Sequence, residues 1–180
     1  YEFHTGYNIF RDGIKKRFNI IDDVWIEPGT YYSSEVQLYF STDESQPLSV
    51  GMQATMGEKF GGDRSILSPW ISYRIGDKFS SSLSVDYNDY DLPVAGGDFS
   101  VTLSRLRLSY SFTPKILLQL LMQYNDDSET LSTNLRFSWL RTANTGLYLV
   151  YNEFDENAVG APPTGREIIL KYSYMFDVFK

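Results

Sequence analysis

In IILKYSYMF, residues 168–176, every second residue is apolar: Ile168, Leu170, Tyr172, Tyr174 and Phe176. Such alternation turns apolar side chains to one face of a β-strand and polar ones to the other. It recurs in 32–40, 48–56, 79–87 and 131–139. Of the 25 positions in the leading sets of these five segments only Ser34, Ser81 and Thr133 are not apolar, and of the 20 positions between them only Tyr39, Ile169 and Met175 are. A helix has a period of 3.6 and cannot present this pattern. The chain is therefore expected to be all-β.

The pattern predicts strands at 2–10, 18–27, 31–41, 47–58, 66–75, 79–88, 99–112, 116–125, 131–141, 147–154 and 166–177. Most are ten residues or longer, whereas strands of soluble proteins are most often about five or six. About ten residues of tilted strand cross a bilayer. The links between them alternate in length. Long or medium links at 155–165, 126–130, 89–98 and 59–65 interleave with shorter ones at 142–146, 113–115, 76–78 and 42–46. Outer-membrane barrels have this asymmetry, with tight periplasmic turns and longer external loops, and it sets the C-terminus on the periplasmic side. Aromatic residues of the apolar parity gather at strand ends. Phe40, Tyr73, Phe79, Phe112, Trp139 and Phe176 lie towards the tight turns, and Tyr32, Tyr87 and Tyr124 towards the loops. Two such girdles mark the two membrane interfaces. The expected fold is an antiparallel up-and-down transmembrane β-barrel in the bacterial outer membrane, with 1–180 as a single barrel domain or barrel segment. Eleven is an odd count, whereas single-chain bacterial barrels have even numbers. A chain that begins at Tyr1, not Met, is expected to be either a processed protein or a piece of a longer one, and the odd count fits a part of a larger barrel.

A soluble β-sandwich also alternates, because one face packs on a second sheet. It would have shorter strands, Val and Ile in preference to Tyr and Phe, and no loop asymmetry. The chain has no cysteine, which excludes disulfides, zinc-thiolate sites and thiol nucleophiles. A net charge of −7 argues against a nucleic-acid partner. The expected partners are outer-membrane lipid and lipopolysaccharide and the barrel-assembly machinery. Bacterial barrels generally end on an alternating strand with a late aromatic, and Leu170, Tyr172, Tyr174 and Phe176 are similar to that assembly signal. DVFK follows Phe176, and Phe179 is an alternative anchor.

TNLRFSWLRTANTGLYLVYNEFDE (133–156), RLRLSYSFTPKILLQLLMQYND (105–126) and REIILKYSYMF (166–176) together resemble the C-terminal barrel of the domain of unknown function 5916 family. The resemblance extends back through PGTYYSSEVQLYFSTDES (28–45). Family members carry more strands ahead of this region and usually a domain like carbohydrate-binding family 9. The resemblance thus implies a larger barrel and a link to saccharide binding or uptake.

On the polar parity, Glu35, Arg74, Asp86, Arg105, Arg107, Arg136 and Lys171 are the lumen-facing candidates. Charges of both signs on one face either line a wet pore or pair into a plug. Arg105, Arg107 and Arg136 form the candidate basic ladder that sets permeant charge. Near residue 104 the apolar phase slips, from Phe99, Val101 and Leu103 to Leu106, Leu108, Tyr110 and Phe112; a β-bulge or a strand leaving the membrane accounts for such a slip. Acidic residues gather at the loop side, and Asp86, Asp89, Asp91 and Asp98 are a candidate rim site for Ca²⁺ or Mg²⁺, against a reading as hydrated loops. No other cofactor is expected. GEKFGGD (57–63) lacks the GK[ST] of a phosphate loop and reads as a hairpin loop. His4 is the lone histidine, with no evident partner, so no catalytic residue is assigned and the segment is not expected to be an enzyme. Three functions fit: a pore or transport conduit, a structural anchor that displays a separate domain, or a barrel hydrolase with its active site upstream.

Overall fold

The structure, a computed structural model, describes residues 1–21, 23–142, 145–156 and 165–175. The described elements are β-strands: β1 (Glu2–Ile14), β2 (Phe18–Ile21), β3 (Val24–Ile26), β4 (Gly29–Ser41), β5 (Leu48–Lys59), β6 (Gly62–Ile75), β7 (Phe79–Asp91), β8 (Asp98–Thr113), β9 (Ile116–Asn125), β10 (Thr130–Thr142), β11 (Thr145–Glu156) and β12 (Gly165–Ser173). Ten of them form one up-and-down antiparallel sheet in the order β1-β4-β5-β6-β7-β8-β9-β10-β11-β12, and β2-β3 form a separate pair. The sheet is open, with β1 and β12 as its end strands. The all-β antiparallel expectation holds.

Three details of the expected map change. The segment 18–27 is not one strand of the sheet but the β2–β3 hairpin, turning at Asp23, whose φ of 60° an aspartate tolerates. With that strand removed, the odd count of eleven loses its force. The link expected at 59–65 shrinks to Phe60–Gly61, both with positive φ (51° and 84°), which is the geometry of a tight two-residue hairpin turn. GEKFGGD is thus a hairpin connection as expected, though not a loop of medium length. Finally, β8 pairs with β9 without a break from Leu103 to Ser111, so no bulge against β9 lies at 104; the register shifts instead between Ser111 and Thr113. Asp98–Thr102 precede the first residue paired with β9, and Phe99 stacks on Tyr90 at 5.0 Å.

The chain divides into two compact units. The first, Tyr1–Trp70 with Val85–Thr102, holds the buried apolar cluster, Val24, Ile26 and Leu92. Ile14, Ile20, Ile21, Tyr31, Phe60, Tyr90, Val94 and Phe99 pack around it. The hairpin forms because its apolar side chains find this cover beside the Leu92–Gly97 turn, closed by Leu92 N donating to Gly97 O at 2.9 Å. Phe60 meets Phe18 and Tyr31 edge-on, which offsets the cost of its left-handed backbone. In the same unit Trp70 lies so close over Gly51 that a Cβ there would meet its ring at 2.5 Å.

The second unit comprises Ile71–Ser84 and Leu103–Lys180. Its registers align one apolar row after another: Leu108, Leu120, Leu135, Tyr151 and Ile168 run across five strands, and Tyr110, Leu118, Phe137, Leu149 and Leu170 lie beside them. No hydrophobic side chain among the described residues of this unit is buried. Ile168 and Leu170 are 72% and 67% exposed.

Candidate functional site

The polar face of the second unit is built by the same registers. Arg107 stands opposite Leu121, and Leu121 opposite Asn134; Ser109 stands opposite Gln119, and Gln119 opposite Arg136. Period two then carries every one of these side chains to one face. With Ser72 and Arg74 of β6 and Ser80 and Ser82 of β7 they line a hollow of about 450 Å³. The serines leave the room: short side chains floor the space, and the long arms of Arg74, Arg107 and Arg136 reach into it. Among the described residues no carboxylate lines it.

Of the expected ladder, Arg107 and Arg136 come together here, but the third member is Arg74. Arg105 faces Gln123 across the ladder and is not among the lining residues. The Arg136 guanidinium lies 5.6 Å from the centre of the Tyr148 ring, a cation–π contact that orients it. Lys171, opposite Tyr148 on β12, lines a neighbouring hollow that Arg136 also borders. A third hollow, of about 420 Å³, is lined by Ser132, Asn152, Glu167 and Arg166 among others. Asn134 donates to Asn152, and Asn152 to Glu167 at 3.1 Å, which continues a polar row across β10, β11 and β12.

In the first unit the polar face is filled. Glu35 is only 5% exposed; it pairs with Arg64 and accepts from Gln37 at 2.8 Å and from Asn8 at 3.5 Å. Lys59 bonds Asp12 at 2.7 Å and lies over the Phe10 and Phe60 rings.

The girdle residues sit at exposed positions of the apolar parity. Tyr32, Phe40 and Tyr87 do so in the first unit, and Tyr73, Phe112, Tyr124 and Trp139 in the second; Phe79, half-buried, faces Tyr110 at 6.5 Å. Of the assembly-signal residues, Leu170 and Tyr172 lie exposed on β12, Tyr174 follows the end of that strand, and Phe176 lies outside the described residues. The Arg166–Glu153 pair, at 2.7 Å, closes the apolar parity of β11 and β12 at the end where Tyr151 donates to Glu153 at 2.9 Å.

Asp86, Asp89 and Asp91 all fall on β7, but period two turns Asp86 to one face and the other two to the opposite one. Asp98 begins β8, and Asp89 accepts from Tyr87 at 3.2 Å. Among the described residues no three His, Asp or Glu side chains converge as a metal set. His4 is exposed, with Nε2 2.6 Å from Glu2.

Two features escaped the reading of the sequence. The serine floor was visible only as the polar set between Phe79 and Leu83, where serine reads as solvated surface. The hairpin cluster was signalled by Asp22–Asp23, turn residues inside an apolar run. Compared with models of known protein families and with curated proteins, the chain matches none.

Proposed function

We propose that this chain is an outer-membrane β-barrel segment that works as a pore or transport conduit, with its C-terminus in the periplasm. The observation that carries the reading is the lack of a buried apolar core in the second unit. On its apolar face Tyr110, Leu135, Leu149, Ile168 and Leu170 are exposed and Leu108, Leu120 and Tyr151 half-buried, none of its described hydrophobic side chains is buried, and its polar face is hollow. In water such a face costs roughly 25 cal/mol for each Å² of apolar surface. Against lipid tails it costs nothing comparable, and the hollow face becomes the lumen. The run from Leu131 to Trp139 is about 27 Å long at about 3.4 Å per residue and the whole of β10 about 41 Å, so at a tilt of about 40° the strand still crosses an apolar band about 25 Å tall. The sheet edges are then paired, within this chain or with further strands of a larger barrel, because lipid leaves no unpaired backbone groups. Membership of the uncharacterised barrel family, and with it a link to saccharide uptake, belongs to the same proposal.

A second reading, a plugged barrel that anchors another domain, is favoured by the filled polar face of the first unit, where Glu35 is paired and buried. Two measurements test both. Refolded into detergent or phospholipid vesicles, the chain is expected to migrate faster unboiled than boiled and to gain protection from protease. A monodisperse, folded chain in detergent-free buffer would overturn the membrane reading. Stepwise conductance in planar bilayers supports the conduit, and a folded, silent barrel supports the anchor.

A further inference from the structure

We propose that the arginine-rimmed hollow of the second unit is a binding site for polyvalent oxyanions, solutes carrying two or more phosphate or carboxylate groups. This rests on the barrel reading for its placement in a lumen, and it goes beyond a general preference for charge.

Three observations carry it. The first is convergence: Arg74, Arg107 and Arg136 come from three strands into one hollow of about 450 Å³. Arg107 and Arg136 are two strands apart, about 10 Å, and offset by about 7 Å along the strands. Their side chains can therefore share a ligand of several atoms without meeting each other. The second is the lack of compensation at Arg107 and Arg136. Among the described residues no carboxylate lines the hollow, and neither Arg107 nor Arg136 has an ion pair. In the first unit, by contrast, Arg64 and Lys59 are each matched by an acid. A chain that carries 23 acidic residues against 16 basic ones has had no shortage of carboxylates, yet none is placed here. The third is the floor, where serine hydroxyls and the amides of Gln119 and Asn134 add neutral donors between the charged arms. Guanidinium groups bind carboxylate and phosphate through paired N–H donors, and two or three of them on one ligand favour the polyvalent over the monovalent anion. The ring of Tyr148 holds Arg136 in place, which lessens the ordering cost of that contact.

The test is equilibrium binding to the detergent-folded chain, with pyrophosphate and citrate as probes and sucrose as the neutral control. Arg107→Gln and Arg136→Gln are made singly and together. The expected result is saturable binding of one or both anions that weakens as salt rises, falls at least tenfold in each single variant and is lost in the double. Binding of pyrophosphate alone assigns phosphate solutes, of citrate alone carboxylate solutes, and of both a general polyanion site. Arg107→Lys with Arg136→Lys keeps the charge but removes the paired donors, and it is expected to bind more weakly than wild type and more tightly than the glutamine pair. Equal binding by wild type and the double glutamine variant, or equal binding of sucrose, overturns the proposal. The unboiled mobility shift, read on the same samples, separates that failure from a failure of the barrel reading: a chain that shifts but ignores both anions keeps the barrel and loses the site.

Discussion

Leu135 is the residue at which lipid and water make the most different demands. It lies on β10 four residues from Leu131 and four from Trp139, between Leu120 of β9 and Tyr151 of β11, at the middle of the apolar face. Leu135→Arg places a guanidinium there. In a bilayer, an arginine on the lipid face at mid-depth costs about 2–4 kcal/mol. At about 1.4 kcal/mol per factor of ten, that is a loss of roughly 30- to 700-fold in the folding equilibrium. In water the same change is mild. Leu135 is already 37% exposed, and an arginine stem would cover most of the neighbouring surface that the leucine covers. The expected cost there is at most about 1 kcal/mol. Ser132→Arg is the control, because Ser132 faces the polar side and lines a hollow that Glu167 also lines, so its arginine stays wet and near an acid. The assay is reversible urea unfolding from phospholipid vesicles, followed by tryptophan fluorescence and by the unboiled mobility shift. The expected order is wild type close to Ser132→Arg, with Leu135→Arg less stable by about 2–4 kcal/mol. A Leu135→Arg variant that loses no more than the Ser132→Arg control would refute the assignment of this face to lipid.

Two further outcomes follow from local chemistry. Arg64→Met strands the Glu35 carboxylate, 5% exposed, with only the amides of Gln37 and Asn8, and is expected to cost about 3 kcal/mol; Glu35→Gln in the same chain should recover part of that loss in urea unfolding, and a double variant less stable than Arg64→Met alone would count against a buried ion pair. In the β4–β5 connection, Asp43 accepts from the Ser45 side chain and backbone N–H and from Gln46, which holds its carboxyl below the ordinary 3.8. A carboxyl with a folded value below its unfolded one contributes stability that is present above the unfolded value and lost as pH falls through the folded one. Asp43→Asn should therefore be slightly less stable than wild type near pH 7, with the difference closing as pH falls below about 4, and a profile with the same acid limb in both proteins would show that the turn does not contribute.

How much of this was legible before the fold depends on how far each feature reaches along the chain. Ten of the eleven expected strands recur within about four residues of their bounds, because alternation is a local property: each residue's face follows from its neighbours two positions away. The strand expected at 18–27 failed for a reason that is not local. Ile20, Ile21, Val24 and Ile26 are apolar enough for a sheet, but Leu92 and Phe99, some seventy residues on, offer them a cluster that does not require the sheet. The phase slip in β8 has a related origin, since Phe99 serves that cluster while Leu106 and Leu108 belong to the apolar rows.

The sequence by itself determined the β class, the two faces of each strand and the aromatic ends, all of which follow from a period of two and the chemistry of single residues. Only the tertiary structure decided which arginines meet. Arg105 and Arg107 share a face of β8, and nothing local separates them. The choice of Arg107, with Arg74 and Arg136 as its companions, comes from register, which is set by the turns that join these consecutive strands, such as Pro114–Lys115 between β8 and β9. A shift of two residues in one pairing would keep every face as it is and move the rim of charge to different residues.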